Sequence, residues 1–215
     1  MAARVGAAHG VAVSSCTTAL HVALHLLGVG PGDEVVVPSL SFIATANAAR
    51  YVGATPVFAD VEETTQNLTD ATVAAVLTAR TRAVVVVHQA GVPADLGVIH
   101  RLCDPLGIAV VEDAACALGS TYRGAPIGGH SELVAFSFHP RKILTTGEGG
   151  LLVTTRADWA GRARRLREHG MSVSAAERHG AGRVVLESYS ETGFNYRMTD
   201  IQAAVGLVQL RRPRG

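Results

Sequence analysis

Lysine is nearly missing from this sequence. Lys142 is its single lysine, and arginine supplies every other strongly basic side chain of the 215 residues. Cysteine is scarce too: Cys16, Cys103 and Cys116 are an odd number without paired spacing. That argues against a disulfide-built scaffold and for free thiols in a reducing compartment. Acidic and basic side chains nearly cancel, leaving a net charge of +1, so the total gives no reason to expect nucleic acid or an anionic membrane as partner. No apolar run approaches the roughly 20 residues that span a bilayer, and the N-terminus lacks the apolar stretch of a signal peptide. The expectation is a soluble cytoplasmic protein with no membrane and no nucleic-acid partner. No internal repeat or low-complexity tract is seen, while a hydrophobic content of 48 % is ample for a core at this length.

What is present is an alternation of two kinds of apolar segment. Short strand-like runs lie at 11–13, 34–37, 56–59, 83–87, 108–111, 133–138 and 151–154. Helical patterns lie between and beyond them, at 19–27, 70–77, 98–102 and 201–210. Such alternation predicts an α/β fold, a mostly parallel sheet with helices on both faces. The polar, glycine-containing stretch 171–193 reads as a loop. Arg162, Arg164, Arg165 and Arg167 read as the solvated face of a helix rather than a nucleic-acid patch. His21 and His25 have metal-ligand spacing on a helix but no nearby acidic ligand, so they read as structural, and no metal site is assigned.

Three places carry chemistry. Lys142 follows the strand-like run that ends at Ser137-Phe138-His139 and precedes Thr146-Gly147-Glu148-Gly149-Gly150. A lysine held among tight turns at a strand end can lose water and become a nucleophilic amine, able to form a Schiff base with an aldehyde cofactor. A structural ion pair is the even alternative. The run 108–111 delivers Glu112 and Asp113 at its C-terminal end, where open α/β sheets keep their ligand sites. Ser14-Ser15-Cys16-Thr17-Thr18 opens a helix and reads either as an ordinary N-cap or as an anion site. Phosphate site, carboxylate and lone lysine are together the parts that a pyridoxal phosphate enzyme requires.

These residues and their surroundings resemble a known family. Val13-Ser14-Ser15-Cys16-Thr17-Thr18-Ala19-Leu20-His21, Gly30-Pro31-Gly32-Asp33-Glu34-Val35, Ser41-Phe42-Ile43-Ala44-Thr45-Ala46-Asn47 and Gly53-Ala54-Thr55-Pro56-Val57-Phe58 match in order. So do Glu112-Asp113-Ala114-Ala115, the lysine loop, and Gly193-Phe194-Asn195-Tyr196-Arg197-Met198-Thr199-Asp200-Ile201-Gln202-Ala203-Ala204. The chain resembles the StrS/DegT-like sugar aminotransferases that use pyridoxal phosphate, whose architecture is the fold type I aminotransferase large domain. The resemblance implies that Lys142 carries the cofactor and shuttles a proton, and that Asp113 faces the pyridine nitrogen. It implies that Phe42 stacks on the ring and that Ser15, Cys16, Thr17, Ser137 and His139 line the cofactor site, with Thr17 and Ser137 at the phosphate. Asn195 would reach the phosphate of a partner subunit, which implies a homodimer.

Where relatives carry glutamine or histidine against the cofactor's phenolic oxygen, this chain has Cys116, a weak donor. Relatives that act as sugar dehydratases replace the lysine with histidine, so the retained Lys142 favours amino transfer. The implied reaction moves an amino group from an amino acid, expected to be glutamate, to a nucleotide-linked keto sugar. The resemblance also implies that residues 1–215 correspond to the cofactor-binding large domain, since relatives extend further at both ends. The alternative is a catalytically impaired cofactor-binding or protein-interaction module.

Overall fold

The computed structural model describes residues 1–173, 178, 180, 182 and 184–211. Seven strands form the main sheet: β1 (His9–Val13), β2 (Glu34–Pro38), β3 (Thr55–Ala59), β4 (Thr81–Val87), β5 (Ala109–Asp113), β8 (Leu133–Ser137) and β9 (Gly150–Thr154). The two-residue strands β6 (Thr121–Tyr122) and β7 (Ala125–Pro126) make a separate hairpin. The order across the sheet is β1-β9-β8-β5-β4-β2-β3. From β8 to β3 every neighbouring pair is parallel, whereas β9 runs antiparallel to both β8 and β1. The mostly parallel α/β fold is therefore as the alternation implies.

Helices cover both faces because the strands are apolar on both. Along β2, Val35 and Val37 face one core and Val36 the other; along β4, Ala83 and Val85 oppose Val84 and Val86. This two-residue split is the pleat expressed as packing. On the first face lie α1 (Cys16–Leu26), α2 (Ala44–Tyr51) and α5 (Ala157–Leu166); on the second lie α3 (Asp70–Ala74) and α4 (Leu96–Cys103). The last helix, α6 (Asp200–Arg211), buries only Gly206, where an added Cβ would lie 3.0 Å from the Thr146 methyl group.

Several boundaries differ from the sequence expectation. β5 continues through Glu112 and Asp113, because both carboxylate residues still pair in register with β4 and β8. α3 stops at Ala74, well short of residue 77, because the Thr78 hydroxyl bonds Glu34 and draws the chain into a turn closed by Thr81. The arginines of α5 are not simply a solvated face. Arg162 and Arg165 both pair with Glu191, while Arg164 and Arg167 donate to the carbonyls of Gly10 and Ala12. β1 is an edge strand, and these two arginines occupy acceptors that an open edge would leave exposed.

Candidate functional site

The C-terminal ends of β4, β5 and β8 and the N-terminus of α1 surround one cavity of about 470 Å³. Every sequence candidate except Asn195 lines it.

α1 supplies one wall. Ser15 caps it: its Oγ accepts the Thr18 amide at 3.2 Å, and the Thr18 hydroxyl accepts the Ser15 amide at 3.1 Å. That reciprocal box fixes the entry angle of the helix. It leaves the amides of Cys16 and Thr17, residues that line the cavity, without a protein partner among the described residues, as a helix N-terminus suited to an anion does. Gly150 makes this wall possible. A Cβ there would lie 2.4 Å from the Ser15 carbonyl group and 2.6 Å from the Cys16 nitrogen, so only glycine lets β9 pass so close beneath the helix start.

β5 supplies the floor. Asp113 is buried, and its Oδ2 accepts the Thr45 hydroxyl at 2.9 Å. Its Oδ1 accepts the Ala115 amide at 3.1 Å and faces the Cys16 thiol at 3.8 Å. Burial pushes the carboxyl above the ordinary aspartate value; the Thr45 hydroxyl, the Ala115 amide, His88 and Lys142 pull the other way. Burial, followed by the charge of Asp113, pushes the Cys16 thiol well above the ordinary thiol value. Next to Asp113 in sequence, Glu112 points to the opposite face and bonds His88 Nε2 at 2.8 Å, both side chains fully buried. His88 Nδ1 accepts the Ala94 amide, which places the imidazole proton on Nε2.

The loop after β8 supplies the amine. Lys142 sits where the chain turns, its amide bonded to the His139 carbonyl at 2.9 Å. Its Nζ donates to Cys116 Sγ at 3.1 Å, so the cysteine that replaces the expected amide or imidazole meets the amine itself. Ser137 stands at the end of β8 with its Oγ accepting the His139 amide at 3.4 Å, and His139 Nε2 lies 3.9 Å from Glu148. Phe42 is 74 % exposed and presents an open aromatic face to the cavity.

Asn195 is placed elsewhere. It is exposed between Phe194 and Tyr196, whose rings stack at 4.9 Å. These two rings pack around His21, and Tyr196 Oη shares a 2.9 Å hydrogen bond with His21 Nδ1. Burial, and then the neighbouring His25, lowers the His21 pKa to about 4. The histidine pair thus anchors the Asn195 segment to α1. Residues that the sequence reading left without a role also line the cavity: His88, Gln89, Arg141 and Glu148. Thr45 lies just behind it as the partner of Asp113. Its place one helical turn beyond Ser41, with which it shares a 2.7 Å hydrogen bond, was the signal available for it.

The family model described as the DegT/DnrJ/EryC1/StrS aminotransferase family matches residues 1–214. The chain belongs to this family. Among solved structures, an aminotransferase from Psychrobacter cryohalolentis is 40 % identical with a TM-score of 0.90, over 98 % of this chain and 54 % of that one. DesV from S. venezuelae is 41 % identical with a TM-score of 0.89, over 97 % and 53 % respectively. A Streptococcus pneumoniae protein described as a sugar aminotransferase, in its PLP form, is 30 % identical with a TM-score of 0.88, over 97 % and 56 %. This member of the DegT/DnrJ/EryC1/StrS family thus spans about half the length of the solved structures it matches.

Proposed function

We propose that residues 1–215 form the large domain of a pyridoxal phosphate-dependent aminotransferase. In this reading it transfers the amino group of glutamate to a nucleotide-linked keto sugar and works as a homodimer. The observation that carries the reading is the convergence in one cavity of an amine, a buried carboxylate and a helix N-terminus with free amides. The donor set fits the cofactor at both ends. The Cys16 and Thr17 amides, with the Thr17 and Ser137 hydroxyls, offer neutral and partly positive donors for a phosphate. At the other end Asp113, already held by Thr45 and Ala115, offers a carboxylate for a ring nitrogen.

When bound, the cofactor supplies an electron-accepting ring that stabilises charge left on the substrate carbon. The chain's own residues do the rest. Asp113 keeps a proton on the ring nitrogen; a carboxylate at about 4 Å contributes about 4 kcal/mol at intermediate dielectric, or about three pKa units. Its own raised pKa falls again when a positive ring nitrogen faces it. Lys142 Nζ would hold the cofactor and would serve as the base and acid that moves a proton. Phe42 would cover a ring face, and Asn195, standing outside its own cavity, would serve the partner's phosphate.

Glutamate and the nucleotide sugar rest on the family likeness, because fold alone does not set substrate. A second reading, a cofactor-binding or interaction module with impaired catalysis, is favoured by the exposure of Ile201 (80 %) and Val208 (56 %) on α6. One experiment separates the two. With the cofactor loaded, a single addition of glutamate should release about one 2-oxoglutarate per chain. Cofactor binding with no keto acid from glutamate or any other amino acid supports the module and sinks the enzyme.

A further inference from the structure

Arg141 sits at the corner of the turn from His139 to Lys142, with Pro140 before it. Proline presets the backbone for that position of a turn, so the arginine is held beside the amine by the chain itself. Its side chain is exposed at the cavity and is the only arginine lining it among the described residues. Most other arginines are engaged: Arg80 with Glu34, Arg123 with Asp95, Arg156 with Asp158, Arg162 with Glu191. Arg141 makes no ion pair and no side-chain hydrogen bond among the described residues; only its backbone amide is used, by His139 Nδ1. The cavity's two carboxylates are directed elsewhere, Asp113 to Thr45 and Glu148 toward His139.

We propose that Arg141 is a specificity-determining residue that binds paired anionic oxygens of a substrate at the mouth of the cavity. The planar guanidinium matches carboxylate and phosphate alike in a two-bond fork. In the proposed reading the start of α1 holds the cofactor's phosphate, so Arg141, exposed at the same cavity, is a second anion position. The proposal rests on the amino-transfer reading of the cavity for the identity of that substrate. The anion belongs either to the carboxylates of the amino donor or to the phosphates of the acceptor, and the two are distinguishable.

The test uses the cofactor-loaded protein and two unreactive probes, maleate for the donor and a nucleoside diphosphate for the acceptor, each titrated by calorimetry. Arg141→Gln should weaken one probe at least tenfold and leave the other within twofold, and Arg141→Lys should recover part of the loss. The matching substrate's KM should rise while kcat stays within a few-fold. A loss for maleate assigns the donor, and a loss for the nucleotide assigns the acceptor. Unchanged affinity for both probes overturns the proposal. So does a loss of cofactor affinity in Arg141→Gln, which would give the arginine to the cofactor's phosphate instead. If the wild-type protein takes up no cofactor, the amino-transfer reading fails separately, and the same titrations on the unloaded protein still decide whether Arg141 binds an anion.

Discussion

Replacing Gly150 with alanine perturbs the cavity without replacing any residue that lines it. The added methyl would lie 2.4 Å from the Ser15 carbonyl carbon and oxygen and 2.6 Å from the Cys16 nitrogen, against ordinary contacts of about 3.5–4.0 Å. All three neighbours are backbone, so no side chain can swing away. Either β9 or the first turn of α1 must move by about 1 Å. Overpacking of this kind costs about 1–3 kcal/mol, visible as a fall of several degrees in Tm. The same shift moves the Cys16 and Thr17 amides off their anion. Charge-assisted bonds contribute about 1.5–3 kcal/mol each, so weakening one should lower cofactor affinity by about tenfold or more. Gly161→Ala is the control: its Cβ meets nothing within 4 Å on α5, and it should leave affinity unchanged and slightly raise Tm. Titration of pyridoxal phosphate by absorbance, with melts of the same samples, reads both effects. A Gly150→Ala protein with wild-type Tm and wild-type cofactor affinity would refute the reasoning.

Two other substitutions follow from the same geometry. Asp113→Asn keeps the shape of the floor and the Thr45 contact, so the cofactor should still bind, while the amino-transfer half-reaction slows by orders of magnitude; unaltered single-turnover rates remove Asp113 from its role. His21, with a pKa lowered from 6.5 to about 4, is neutral in the folded protein, and the unfolded chain takes up the proton first. Its contribution is therefore intact above pH 6.5 and lost progressively between pH 6.5 and about 4, to a total of about 3 kcal/mol. Urea midpoints across that window should fall less steeply in His21→Gln than in the wild type; parallel slopes would count against it.

Much of this was legible in the sequence, and the parts that were not share a cause. Strand positions followed from β-branched runs such as Val84 to Val87, whose burial on both faces needs no polar alternation. Lys142 stood out because no other lysine competes with it, and Asp113 because an apolar run delivers it. Periodicity carries no direction, however, so the antiparallel course of β9 was not visible. A charged pair was read as the end of β5, although Glu112 and Asp113 remain in register, one meeting His88 and the other Thr45. Long-range partners were equally hidden: Arg164 and Arg167 read as solvent-facing charges, and only the fold brings the carbonyls of β1 to them. Gly150 was recognised in a motif, but its reason, the backbone of Ser15 lying against it, lies more than a hundred residues away in the chain.

The central claim is that Lys142 is the amine that holds pyridoxal phosphate. Borohydride reduction of the cofactor-loaded protein, followed by peptide mass mapping, tests it most directly. The pyridoxyl group is expected on the peptide that contains Lys142, and it should disappear in Lys142→Ala. An adduct confined to the N-terminal amine, or none at saturating cofactor, would contradict it.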